Sequence, residues 1–191
     1  MKTAITRQEA ENLLAKYIHS PHLKLHSLET EAVMRDLARH LWRDEDFWWI
    51  VGLLHDLDLD VIGDELSDHG NKTIEILKEE WYDIPEMFDA ILAHTEWLME
   101  WNKKRSTELD FCLAAGENIT GLIYAYALMR PDKKIAWAEV SSIKKRLKEL
   151  RFAANVNRAF IYDIEKAGIT LDQFLTIALE AIKWIAHQIG I

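Results

Sequence analysis

The chain reads as an all-α protein: turn residues are scarce, apolar residues recur at helical spacing, and helix-capping signatures precede several apolar runs. Only three prolines and seven glycines occur in 191 residues, too few for an all-β chain that must turn every ~8–12 residues. Thr6 and Glu9 form a capping-box pair ahead of Leu13, Leu14, Tyr17 and Ile18, which share one helical face. Pro21 is expected to end that helix, and a second begins near His26 and runs through Leu28, Val33, Leu37 and Leu41. Asp44 can cap a third, Phe47 to Leu54, so apolar that it belongs at the centre of the fold, with His55 and Asp56 at its C-terminal end.

Residues 57–63 alternate apolar and acidic positions but lack a partner strand, so they read as a loop. Ser67 or Asp68 is the expected cap of a helix carrying Ile74, Ile76 and Leu77. Ile84-Pro85 opens another, through Met87, Ile91 and Leu92 to His94. A long helix follows from about Thr107 to Arg130, where Pro131 stops it. The remainder reads as helices near 137–149, 155–166 and 171–189, with Gly168 as a C-cap between the last two. With no repeat, low-complexity stretch or linker, this describes one compact helical domain over residues 1–191, of about eight to ten helices.

The net charge of −9 argues against a nucleic-acid polymer as the main partner. An acidic chain can still take a phosphorylated ligand if a metal or a local basic cluster supplies positive charge. The single cysteine, Cys112, sits in an apolar run and reads as a core thiol rather than a nucleophile. The N-terminus shows no signal-like stretch, and no run of about 18 uninterrupted apolar residues suggests a membrane span. The expected compartment is therefore the reducing cytoplasm.

Of the eight histidines, His26, His55, His69 and His94 fall at element ends. Imidazole beside carboxylate suits divalent cations such as Mn, Fe, Co, Ni and Zn, and helix ends can converge in a bundle core. Each histidine could equally pack alone against a backbone group, which is the reading for His19, His22, His40 and His187. Spacing alone does not decide between these, because no HxxxH or CxxC pattern ties the four together.

The order His26, His55-Asp56, His69, His94 resembles the HD superfamily of metal-dependent phosphohydrolases. The local text, in His26–Met34, Leu53–Asp58, Ala93-His94 and Gly116–Ile123, is similar to its small stand-alone HDIG-type branch. The likeness continues through Leu128–Lys134, Val140–Lys145 and Phe152–Arg158, so it covers about residues 20–190. It implies an HD-type helical bundle with a core near residues 20–130 and a C-terminal helical extension near 131–191. It also implies one or two divalent metal ions (Mn, Fe, Co, Ni, Zn or Mg) that activate a water against a phosphoryl centre. His26, His55 and Asp56 match ligands of the first metal, and His69 and His94 match those of a second.

The resemblance places a further aspartate ligand where this chain has Gly116. Glycine offers no donor, and the adjacent Glu117 points about 100° away on a helix. Glu117 would then reach the metal only through its longer side chain, or stand behind the ligands, and Gly116→Asp would restore a donor. Asp58 is the candidate for supporting a ligand or acting as general base, and Asp56 is counted with the catalytic groups. Glu29, one turn after His26, could orient a ligand or a water. Lys144, Lys145 and Arg158, in the only dense basic stretch, are candidates for binding substrate phosphate, against the alternative of a solvated helix face. Trp97 and Trp101 could line a pocket wall, and the surplus of tryptophans leaves a homodimer open.

Three readings follow. One is a phosphohydrolase acting on a small phosphorylated metabolite or nucleotide. The second is a catalytically weakened HD domain that binds metal or a phosphorylated ligand, motivated by Gly116. The third is a helical interaction protein whose histidines are structural.

Overall fold

The structure, a computed structural model, describes residues 1–100 and 102–191. Every named element among these is helical, and the only strand-like contact is an isolated parallel bridge between Lys2 and Tyr82. α1 spans Arg7–Tyr17 and begins with the expected box: Thr6 accepts from the Glu9 amide, and the Glu9 carboxylate accepts from the Thr6 amide. α2, Pro21–Leu41, starts earlier than the sequence suggested, because Pro21 opens it instead of ending α1. Proline suits the first helical turn, where its missing N–H costs no intrahelical bond. Ser20 gives this helix no side-chain cap; Asp60 reaches across to accept from the amides of His19 at 2.5 Å and Ser20 at 2.7 Å, and from the Ser20 hydroxyl.

α3, Glu45–Leu54, is capped by Asp44, which accepts from the Phe47 amide at 3.0 Å. It crosses α2 at Gly52, where an added Cβ would lie 2.9 Å from both the Thr30 carbonyl and Met34 Cγ. Glycine is what lets the two backbones approach so closely. After the His55 cap, the segment read as a loop contains the single turn α4, Leu59–Ile62. A 3₁₀ turn at Leu66–Asp68 follows, and α5 spans Asn71–Glu79, beginning after the Ser67 and Asp68 proposed as its cap.

α6 (Pro85–His94) and α7 (Glu108–Met129) keep their expected bounds to within a residue or two, α7 with a capping box between Thr107 and Asp110. α8 is Val140–Lys148 and α9 is Arg158–Tyr162, extended by a 3₁₀ turn to Ala167. Gly168, at φ 80°, ends that turn, and α10 runs Leu171–Ile189. α2 is the hub, packed by α3, α7 and α10. Val33, Met34, Leu37, Leu53, Leu54, Leu113 and Phe174 are fully or almost fully buried around it. α7 is long and apolar enough by composition to cross a membrane, but here it is a core helix between α2, α6, α8 and α9. Cys112 lies buried within it, and burial pushes its thiol pKa up. Trp48 and Trp49 are core residues as well, whereas Trp81 is largely exposed.

Candidate metal centre

Five elements bring side chains to one place. α2 brings His26, the C-terminus of α3 brings His55 and Asp56, His69 precedes α5, His94 ends α6, and α7 brings Glu117. Asp56 is the focus. Its Oδ1 faces Nε2 of His55, His69 and His94 at 3.3, 3.4 and 3.4 Å, while its Oδ2 lies 3.5 Å from Nε2 of His26. Glu117 Oε2 stands 4.0 Å from the same His26 nitrogen. Donor atoms of His26, His55 and Glu117 lie within 4.8 Å of one another, as do those of His55, Asp56 and His94. Two three-donor sets thus share His55.

The far nitrogen of each ring shows which way the imidazoles are set. His55 Nδ1 donates to the Gly52 carbonyl at 2.8 Å, and His94 Nδ1 to the Ile91 carbonyl at 2.5 Å. His69 Nδ1 donates to Asp58 at 2.9 Å. The Thr120 hydroxyl gives its own proton to the Glu117 carbonyl, so it can only accept from His26 Nδ1, 3.2 Å away. In all four rings Nδ1 is held by a neighbour and Nε2 faces inward, so the neutral ring would carry its proton on Nδ1 and present Nε2 as a metal ligand must.

The donor set fits a divalent cation. His55 Nε2 and Asp56 Oδ1 are buried without a hydrogen-bond partner, a costly state unless something else satisfies them. Nε2 of His69 and Nε2 of His94 face each other at 3.2 Å, a distance that either a proton on one of them or a shared cation accounts for. Electrostatics agree. Burial disfavours the Asp56 carboxylate, yet the surrounding imidazoles, His55 first, hold its pKa well below the usual carboxylate range. Burial also opposes charge on His55, but the Asp56 carboxylate outweighs it and lifts His55 to about 9. His69 is raised as well, burial being overcome by Asp58 and Asp56. His26, lowered to about 4, and His94, also lowered, are kept neutral by burial. Without a cation the cluster recruits protons.

Gly116 does not occupy a ligand position. A Cβ built on it points at Val33 Cγ1 and Met34 Sδ, 3.4 and 3.5 Å away, on the apolar side of α2. Glu117 is the α7 residue that faces the histidines. The one-residue offset corrects the expectation that a ligand is missing at Gly116. Burial raises the Glu117 carboxyl to about 8, and its Oε1 accepts from Asn118 at 2.6 Å.

Asp58 is fully buried: it accepts from His69 Nδ1 and from the amides of Gly70 at 2.7 Å and Thr73 at 3.3 Å. It orients His69 and caps α5 from outside that helix, which leaves it poorly placed for a general base. Glu29 is a clear correction. It makes no hydrogen bond to any of the histidines, its Oε1 is buried without a partner, and burial alone raises it to about 8, so it orients none of the ligand side chains.

Lys144, Lys145 and Arg158 are corrections too, since none lines the pocket. Lys144 pairs with Asp172 and Lys145 is exposed. The Arg158 guanidinium is committed to the carbonyls of Leu147, Glu149, Phe152, Ala153 and Val156.

The donors open into a cavity of about 300 Å³. Asp56, His69, His94 and Glu117 form its floor, and Trp97, Asn118, Asn155 and Asn157 form the wall. Trp97 meets its expectation as a wall residue, while Trp101 lies outside the described residues. Sequence reasoning missed the three asparagines as site residues. All three lie in stretches that carry the family likeness, Gly116–Ile123 and Phe152–Arg158, but nothing in a lone sequence marks these amides within them as cavity-lining. A larger cavity of about 450 Å³ between α1, α2 and α10 contains none of these donors.

Comparison with protein-family models matches the one described as HD domain over residues 25–120, half of the chain and a span that holds every candidate metal donor. Neither the curated proteins nor the solved structures yielded a match.

Proposed function

The chain belongs to the HD domain family, and from that premise we propose that it is a metal-dependent phosphohydrolase acting on a small phosphorylated metabolite or nucleotide. We place it in the small stand-alone HDIG-type branch, on the motif stretches that continue beyond residue 120. The observation that carries the reading is the set of four imidazoles, each locked through Nδ1, converging on a buried carboxylate with orphaned donor atoms. His26, His55 and Glu117, with one oxygen of Asp56, would hold one cation, and His69 and His94, with the other Asp56 oxygen, would hold a second. Asp56, whose Oδ1 and Oδ2 face different histidines, would contribute to both. When bound, such cations supply Lewis-acid chemistry, acidifying water and offsetting negative charge on phosphoryl oxygens.

The chain's own residues set the conditions for this. Gly52, Ile91, Asp58 and Thr120 fix the ring orientations, so little reorganisation is needed on binding. Burial of His55, His94 and Asp56 leaves the donors approachable only from the cavity side. With Gly116 facing the core, the main motive for a weakened, non-catalytic domain is gone.

The test is metal content by elemental analysis, followed by phosphate release from a panel of phosphomonoesters. One or two equivalents of metal, lost in His55→Ala and Asp56→Ala, with metal-stimulated phosphate release, is the expected outcome. A protein that refuses Mn, or holds it while releasing no phosphate from any ester, would overturn the proposal.

A further inference from the structure

Outside the metal donors, the cavity wall is made of Trp97 and the neutral amides of Asn118, Asn155 and Asn157. Among the described residues, no lysine or arginine lines it, although the chain has 23 of them. The lining carboxylates of Asp56 and Glu117 offset two of the four charges that a pair of divalent cations would bring. A single phosphate dianion offsets the other two. Nothing in the lining remains to neutralise a further anionic group, so the cavity favours a ligand whose remainder is uncharged.

The wall is built to read such a group. Asn118 is fully committed: it accepts from the Asn157 amide at 2.8 Å and donates to the Ala114 carbonyl and Glu117 Oε1 at 2.9 and 2.6 Å. It straps the connection between α8 and α9 onto α7. Arg158 holds the same connection by four carbonyls and ties it to Leu147 of α8 by a fifth, and Ala153 sits in it at φ 44°, a left-handed conformation that the surrounding bonds maintain. The carboxamides of Asn155, which is exposed, and Asn157, which is half-buried, have no side-chain hydrogen bond to the described residues, and both residues line the cavity. A free carboxamide offers two donors and an acceptor but no charge. Held on an anchored loop, it recognises hydroxyl or amide groups with little ordering cost.

We infer that Asn155 and Asn157 are the specificity residues of this site, and that they select a phosphomonoester whose alcohol is uncharged and rich in hydrogen-bonding groups, such as a nucleoside or a sugar. The inference rests on the phosphohydrolase reading for the position of the phosphate, but it can fail or stand separately.

The experiment is calorimetric titration of the Mn-loaded protein with uncleavable phosphonates. The probes are methylphosphonate, 3-phosphonopropionate, and the phosphonate isosteres of a nucleoside 5′-monophosphate and of a hexose 6-phosphate. The native chain should bind at least one neutral isostere about tenfold or more tighter than methylphosphonate, and 3-phosphonopropionate no tighter than methylphosphonate. Which isostere wins distinguishes nucleoside from sugar. The Asn155→Ala/Asn157→Ala double variant should lose the advantage while keeping its Mn content and its affinity for methylphosphonate. A preference that survives in the double variant, a preference for 3-phosphonopropionate, or no binding of any probe would overturn the inference. If the preference holds but the corresponding esters release no phosphate, it is the hydrolase reading that fails.

Discussion

Two carboxyl groups, those of Glu29 and Glu117, are pushed up to about 8 by burial, and only Glu117 faces donors that a cation could share. Glu29 therefore acts on stability. Its folded pKa of about 8 lies above the ordinary 4.5, so the unfolded chain gives up a proton in that window that the folded chain keeps. Stability from this group is complete below about 4.5 and is lost as pH rises toward 8. Urea denaturation should show the native protein losing roughly 1 kcal/mol per pH unit across the window relative to Glu29→Gln. Parallel pH profiles for the two proteins would refute this. At Gly116 the expectation is the reverse of a repaired ligand. Gly116→Asp would press a carboxylate between Val33 and Met34, costing about 2–4 kcal/mol with no gain in Mn affinity. Tighter Mn binding without a fall in Tm would show that Gly116 is a ligand position after all. The misreading came from helix geometry: one residue of register separates a core position from a metal-facing one, and no spacing in a lone sequence reveals which is which.

Helix starts that are written locally were legible. The Thr6–Glu9 box and the Asp44 cap stand where the sequence put them. Those that depend on distant residues were not. α5 is capped by Asp58, 12 and 15 positions before the amides it binds, and α2 by Asp60, 40 positions beyond Ser20. Both acids follow the His-Asp doublet, so the turn after α3 also fixes the helix starts behind His69 and ahead of His26. The connection between α8 and α9 is held the same way, by Arg158. Arg158→Lys would keep the charge but lose the planar fork that reaches five carbonyls. Hydrogen exchange should quicken by about tenfold or more in residues 149–157, with Mn content unchanged. Unaltered exchange there would mean that the loop is held by something other than Arg158.

Over the whole molecule, net charge and site chemistry oppose each other. A chain of net charge −9 repels a phosphate dianion until the ligand is close to the donors. Raising ionic strength from about 10 to 150 mM shortens the Debye length from roughly 30 to 8 Å. The association rate of a phosphomonoester should then rise about two- to threefold, measured by stopped-flow mixing; a fall would reveal an attractive field that the pocket lining does not show. The all-α architecture was legible from composition and periodicity, because those report on every turn of helix. The convergence of His26, His55, His69 and His94 was not, because positions up to 68 residues apart meet only through tertiary packing, and it was the ordered resemblance that joined them.

The family match ends at residue 120, yet Asn155 and Asn157 complete the cavity from beyond it. Reactive donors and recognition amides therefore occupy separate stretches of the gene, and mutation can alter one without rewriting the other. For an engineer, the connection between α8 and α9 is a cassette: exchanging it while leaving residues 25–120 untouched offers a route to new ligand preferences on an unchanged metal-binding floor.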